Sequence, residues 1–302
     1  MAGGVLPFLR PVDEDLPAWL RAQYPFERQT LRTAEGHRLS YVDEGHGECV
    51  FLFHGNPTWS FHYRHLISRL REHFRCIAPD HLGCGLSDKP KHASYSLDNH
   101  IANASALVEK VRATAFHLVL HDWGCPIGLA IAELYAERVQ SLVILNGAAF
   151  ASKKIPWPIA LARTHFPGTL LVRGLNGFAR AASSLCVRKA LPEEVRRGYL
   201  FPYDSWAHRI AINAFVKDIP LRRRHRSWKT LQTIEEQLPN LRNKPVLLAW
   251  GMRDFCFTEA FLKKWQEFFP DAQTLRFPQA GHWVLEDAGP ELLEKIQAFL
   301  RT

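Results

Sequence analysis

Short runs that are apolar on every side recur along this chain. They are separated by longer stretches in which apolar residues return every third or fourth position. The runs fall at 50–53, 74–78, 118–120, 141–145 and 245–250, followed by a more polar one at 272–277. A run with no polar face suits a strand buried on both sides of a parallel sheet, and the amphipathic stretches, such as 127–135, suit crossover helices. The pattern predicts an α/β protein with a mostly parallel sheet flanked by helices, whose ligand site lies beyond the carboxyl ends of the strands. The alternation lapses between about Ala149 and Arg226. That part is helical in pattern, punctuated by Pro156, Pro158 and Pro167, and rich in aromatics including Trp157, Phe166, Phe178, Tyr199, Tyr203 and Trp206. A single crossover seldom needs such length. The expected organisation is therefore a core of residues 1–148 and 227–302 with a helical cap, 149–226, inserted in it.

Polar residues gather where the runs end. The run that reaches Leu120 continues as His121-Asp122-Trp123-Gly124 and then as a helical pattern, the strand–turn–helix of a nucleophile elbow. The serine usual at the tip is replaced by Asp122. A carboxylate there attacks a carbon that bears a leaving group and forms an ester. Such an ester calls for a base that activates water and a group that orients the base. His282 stands in a Gly-containing loop after the last strand, and the order nucleophile, acid, histidine is that of α/β-hydrolases. The strand at 141–145 ends in Asn146, which is neutral, whereas the strand at 245–250 leads into Gly251-Met252-Arg253-Asp254, so Asp254 is the expected acid. Glu286 and Asp287, just past His282, read as helix-capping residues.

A second polar turn, His54-Gly55-Asn56-Pro57-Thr58-Trp59, leaves the strand at 50–53. The backbone N–H groups of Asn56 and Trp123 are candidates for an oxyanion hole. Their side chains add a carboxamide and an indole donor. Asn56 alone suits a turn before proline, and Trp123 alone a core aromatic. Flanking a carboxylate nucleophile, together they form a cradle for a departing anion. Phe150, Phe255 and Phe257 are expected to line an apolar substrate pocket.

Composition changes this picture little. The chain has 302 residues, 47% hydrophobic and 23% charged, the profile of a soluble globular protein. The N-terminus lacks the basic start and unbroken apolar core of a leader, and no segment is apolar for long enough to span a bilayer. Cysteines at 49, 76, 84, 125, 186 and 256 form neither CxxC pairs nor metal-ligand spacings, so no metal is expected and reduced thiols in a cytoplasmic protein are. The net charge of +8 raises the question of nucleic acid. The one dense basic run, Arg222-Arg223-Arg224-His225-Arg226, has no interleaved aromatics and reads as a solvated surface or a subunit contact, so a homo-oligomer is compatible and nucleic acid is not expected.

The HGNPTW turn, the segment PDHLGCGLSDKP at 79–90, HDWG at 121–124, GMRDF at 251–255 and GHWVLED at 281–287 resemble, in this order, the haloalkane dehalogenases. The resemblance covers nearly all of the core. It implies an α/β-hydrolase fold with Asp122 as nucleophile, His282 as base, Asp254 as acid and Asn56 with Trp123 as halide donors, and it implies no metal or organic cofactor. An acid after the later strand, together with an Asn–Trp pair, is similar to the third subfamily; another large group with that pair carries Glu where this chain has Asn146. The third subfamily also resembles the β-lactone decarboxylases of olefin biosynthesis. The implied activity is hydrolytic dehalogenation of a small apolar haloalkane to an alcohol, a halide and a proton through an alkyl-aspartate ester. The alternative is decarboxylation of a β-lactone to an alkene and carbon dioxide. Epoxide hydrolysis fits less well, because it needs acidic groups from the cap, where Tyr199 and Tyr203 are the only tyrosines. A ligand-binding protein on a retained hydrolase scaffold would not need all three of Asp122, Asp254 and His282.

Overall fold

The computed structural model describes residues 16–152 and 155–302. The N-terminal stretch read above as lacking a leader lies, as far as Asp15, outside them. The sheet contains β1 (Arg28–Arg32), β2 (Arg38–Glu44), β3 (Glu48–Phe53), β4 (Phe74–Pro79), β5 (Phe116–Asp122), β6 (Val139–Gly147), β7 (Val246–Gly251) and β8 (Gln273–Phe277). Their order across it is β1-β2-β4-β3-β5-β6-β7-β8. β3 to β8 pair in parallel, while β2 is antiparallel to both β1 and β4. The six parallel strands are those that the apolar runs predict. The β1–β2 hairpin is not among them, because every residue of β1 is at least partly exposed and its side chains are mostly polar.

Strand side chains alternate between faces, and the core divides accordingly. Val50, Leu52 and Val119 join one apolar cluster, and Phe51, Phe53, Leu118 and Leu120 join the other. The helices are α1 (Ala18–Arg21), α2 (Arg64–Leu70), α3 (Leu97–Val111), α4 (Gly124–Leu134), α5 (Trp157–Ala162), α6 (Gly177–Leu185), α7 (Glu193–Leu200), α8 (Ile210–Asp218), α9 (Trp228–Gln237), α10 (Glu259–Phe268), α11 (Val284–Asp287) and α12 (Gly289–Leu300). α2 and α12 pack together on the first face, and α3, α4 and α9 on the second. Five helices, α5 to α9, separate β6 from β7. α9 packs on α3 and α4, whereas α5 to α8 contact one another beyond the carboxyl ends of the strands. Among the described residues no helix is long and apolar enough to cross a membrane.

Candidate active site

Asp122 ends the central strand β5 with φ +52°, a left-handed conformation that costs a residue with a Cβ about 1–3 kcal/mol. The surroundings hold it there. A Cβ at Gly124 would overlap the carbonyl of Phe53, and one at Gly55 would overlap the Asp122 carboxylate, so β3 and the elbow approach closely only because both positions are glycine. The turn after β3 thereby reaches the carboxylate. The Asn56 backbone N–H donates to Asp122 Oδ2 at 2.8 Å, and the Trp123 backbone N–H donates to the same carboxylate. These are the two donors expected of an oxyanion hole, here turned on the Asp122 carboxylate.

His282 and Asp254 come to the same place from two other strand ends. His282 Nδ1 lies 2.9 Å from Asp254 Oδ2, both side chains being buried. The Cys256 backbone N–H donates to Asp254 Oδ1 at 2.6 Å. Asn146, at the end of β6, donates through Nδ2 to Asp254 Oδ2 at 2.9 Å and to the Gly251 carbonyl at 3.1 Å, and accepts from the Gly251 N–H at 2.8 Å. Sequence reasoning set Asn146 aside because it carries no charge. It is instead the clamp that orients Asp254. Its neutrality is the point, since only a donor satisfies a carboxylate already paired with an imidazole.

Burial pushes the Asp122 carboxyl up to about 6, against the opposing pull of His282 and the two N–H donors. Burial would depress the His282 imidazole, but the charge and hydrogen bond of Asp254, with Asp122 adding to them, hold it above the ordinary histidine value. Burial likewise works to raise Asp254, yet His282 and the surrounding donors keep it below the ordinary carboxylate range. Two carboxylates thus bias one imidazole toward its charged form, with pKa values pushed apart in the manner of acid–base sites.

The residues behind the base were not visible in the sequence as a unit. His121 Nε2 lies 2.9 Å from the His282 carbonyl oxygen, and its ring is 4.6 Å from both His282 and His62, centroid to centroid. His62 Nδ1 lies 2.8 Å from the Tyr199 hydroxyl on α7. Glu286 accepts from that hydroxyl and forms a two-pronged pair with buried Arg64. Asp287 accepts from the backbone N–H groups of Gly281, Arg188 and Lys189. Neither acid caps α11, contrary to the expectation from spacing. Both instead tie the His282 loop to its neighbours, Glu286 to α7 and Asp287 to the end of α6. The only early signal was the pairing of these acids with the histidine in GHWVLED.

Asp122, Asn56, Trp123 and His282 face a cavity of about 230 Å³. Phe150, Phe255 and Phe257, the residues expected to line a pocket, all do so. The remaining wall is apolar: Leu97 and Leu231 from the core helices, and Ile159, Leu171 and Phe178 from the inserted segment. The Asn56 side chain donates to the Ile212 carbonyl over 3.3 Å, a long bond that is easily exchanged for a better acceptor. Among the described residues no group of three or more His, Cys, Asp and Glu is arranged to hold a metal ion.

A family model for the alpha/beta hydrolase fold matches residues 48–185 and 189–289. The chain is 42% identical over 283 residues to a cis-3-alkyl-4-alkyloxetan-2-one decarboxylase of Shewanella oneidensis, covering 91% of this chain and 89% of that one. It is 32% identical over 290 residues to haloalkane dehalogenase 2 of Mycobacterium tuberculosis, covering 90% and 94%. The crystal structure of haloalkane dehalogenase DatA from Agrobacterium tumefaciens superposes with a TM-score of 0.82 at 26% identity, covering 91% and 96%.

Proposed function

The chain belongs to the alpha/beta hydrolase fold family, in company with haloalkane dehalogenases and oxetanone decarboxylases, and from that premise we propose that it decarboxylates 3,4-dialkyl oxetan-2-ones (β-lactones) to alkenes and carbon dioxide. One observation carries the choice of substrate: identity to the decarboxylase is 42%, against 32% for the dehalogenase, over nearly the same span. The cavity supports it, since a ring with alkyl chains on two adjacent carbons needs apolar wall on more than one side of the nucleophile, and both the core helices and the inserted segment provide it.

In this reading the N–H groups of Asn56 and Trp123 hold the Asp122 carboxylate, Asn56 through Oδ2, and a carboxylate oxygen attacks. Attack at ring C4 breaks the C4–O1 bond and frees a carboxylate. The Asn56 carboxamide and Trp123 indole receive that carboxylate as they would a halide. The C2–C3 bond then breaks to release carbon dioxide. Its electron pair forms the C3=C4 bond while the C4–O bond to Asp122 breaks, and the free carboxylate is regenerated. No water is consumed and no proton is released. The positive charge on His282, stabilised by Asp254, eases the departure of the Asp122 carboxylate.

Haloalkane hydrolysis is the second reading, favoured by the hydrogen-bonded His282–Asp254 pair, a device for activating water that a decarboxylase needs only as a charge. The test is to give one enzyme preparation a cis-3,4-dialkyl oxetan-2-one and, separately, a bromoalkane. Alkene and carbon dioxide from the lactone, at a kcat/KM well above that for halide release, are expected. Halide and acid from the bromoalkane with an untouched lactone would replace this reading with the second.

A further inference from the structure

Seven of the eight large hydrophobic side chains that stand exposed among the described residues lie between Trp157 and Trp206; the eighth is Leu134. Trp157 and Leu161, four residues apart on α5, share its outward side, while Pro158, Ile159 and Ala162 of the same helix line the cavity. A helix apolar on both sides, with water on one of them, is not an ordinary protein surface. The chain then passes Phe166, 78% exposed, and reaches Leu170. Leu170 and Trp206 both adjoin Gly174, and the Arg173 guanidinium sits 4.7 Å over the Trp206 ring. Leu185 is half exposed and also lines the cavity, so this surface is continuous with the cavity wall.

Charge is divided in the same way. Fifteen of the 38 Lys and Arg, but only four of the 30 Asp and Glu, lie within 149–226, so that quarter of the chain carries +11 and the remainder −3. We infer that this face docks onto an anionic lipid bilayer. The Trp157, Phe166, Leu170 and Trp206 side chains enter the headgroup layer, and Arg163, Arg173 and Lys217, which are held within the same stretch, meet lipid phosphates. A second copy of the chain fits less well, because a two-fold contact sets one net-positive segment against another. A nucleic acid would answer the charge but not the aliphatic Leu161 and Leu170. Docking brings the cavity wall to a medium in which dialkyl compounds dissolve, so substrate enters without crossing water. That purpose rests on the proposed substrate; the docking itself does not.

The test uses the full chain without substrate. Sedimentation with vesicles of phosphatidylcholine is compared with vesicles containing one-third phosphatidylglycerol. Strong partition onto the anionic vesicles is expected, and bromine-labelled acyl chains should quench the tryptophan fluorescence of the unsubstituted protein. The triple variant Trp157→Ser, Phe166→Ser, Leu170→Ser should lose about tenfold or more in partition, with thermal melting and turnover of a water-soluble substrate unchanged. Leu134→Ser should bind as the parent does. Absence of binding and quenching would overturn the proposal. So would duplex DNA binding as tight as vesicle binding and indifferent to the triple variant, or self-association that the variant abolishes while vesicles stay unbound.

Discussion

At and directly behind the floor of the cavity, Asp122, Asp254 and Asn146 each hold several hydrogen bonds to buried partners, whereas the roof contributed by α5 and α6 presents almost nothing but carbon. The floor is assembled from the ends of β3, β5, β6 and β7 and the loop after β8, which share one sheet and cannot move apart without breaking it. The segment that carries the roof is tied to the core by bonds of its own, made largely through α7 and the turns beside it, among them Trp59 Nε1 to the Gly198 carbonyl, the Trp283 N–H to the Cys186 carbonyl and the Tyr199 hydroxyl to Glu286. A hydrogen-bonded floor fixes charge and distance, on which a covalent step depends steeply. An apolar roof discriminates only by shape, at a cost of about 1–3 kcal/mol per methylene. Chemistry and substrate range are therefore set by different parts of the chain, and substitutions should separate them.

The largest effect belongs to Asp122. Asp122→Asn keeps the shape but removes the attacking oxygen, and turnover of lactone or bromoalkane should fall by about 10⁴-fold or more. Full activity in that variant would remove the floor from the chemistry altogether. His282→Phe comes next and divides the two candidate reactions. A bromoalkane should leave an alkyl adduct on Asp122, visible in the intact-protein mass, because the ester forms and is not hydrolysed. Lactone decarboxylation needs no hydrolysis and should fall less, by roughly 10²-fold. An adduct mapped to any other residue would displace Asp122 as nucleophile.

Acidity offers a further separation. In the proposed reaction Asp122 attacks only when ionised, and burial raises its pKa to about 6, so kcat/KM should rise as pH rises through about 6. The His282 charge lowers that value, so in His282→Phe the acid limb of adduct formation should move to higher pH. A limb that stays in place would mean that the imidazole is neutral when attack occurs. The roof should leave this profile alone. Ala182→Phe narrows the cavity from α6 and should raise KM about tenfold for long alkyl chains, with kcat for short ones and the acid limb unchanged. A shifted limb would show that roof and floor are coupled after all.

The same division governs what the sequence discloses. Most of the parallel strands are legible because strands covered on both faces leave few polar positions, β8 with its Gln273, Thr274 and Arg276 being the exception, and the elbow because Asp122 replaces serine in a turn of fixed form. Asp122, Asp254 and His282 follow from strand ends and chain order. Asn146 does not, because its value depends on standing 2.9 Å from a carboxylate 108 residues later. Nor do the links among His62, His121, Tyr199 and Glu286, which exist only once the fold stacks and bonds these residues. In the roof, aromatic content was plain from the sequence, but which side of α5 faces the cavity and which faces outward is settled only by its packing. Charge along the chain was read as a local run at 222–226, although the excess is spread over the whole inserted segment.

The smallest effect expected is a partial rescue, and it probes how rigidly the floor is built. Asp254→Asn preserves volume but leaves the His282 imidazolium without its counter-charge, so hydrolysis of an alkyl ester should fail while alkylation persists. Asn146 already touches the Asp254 oxygen that His282 faces: both contacts are 2.9 Å and made to Oδ2. A carboxylate carried at position 146 therefore starts 2.9 Å from the atom that His282 faces, now part of the Asp254→Asn amide, and Glu is longer than Asn by one methylene. Asn146→Glu added to Asp254→Asn should recover about tenfold of the lost hydrolysis. Full recovery is not expected, because Glu gives up both Asn146 donations, to Asp254 and to the Gly251 carbonyl, and adds a methylene where the side chain is wholly buried. Recovery of the acid limb together with the rate would show that the charge beside His282 matters more than which strand carries it. A double variant as inactive as Asp254→Asn, yet with unchanged thermal melting, would show that the floor tolerates its acid on β7 alone.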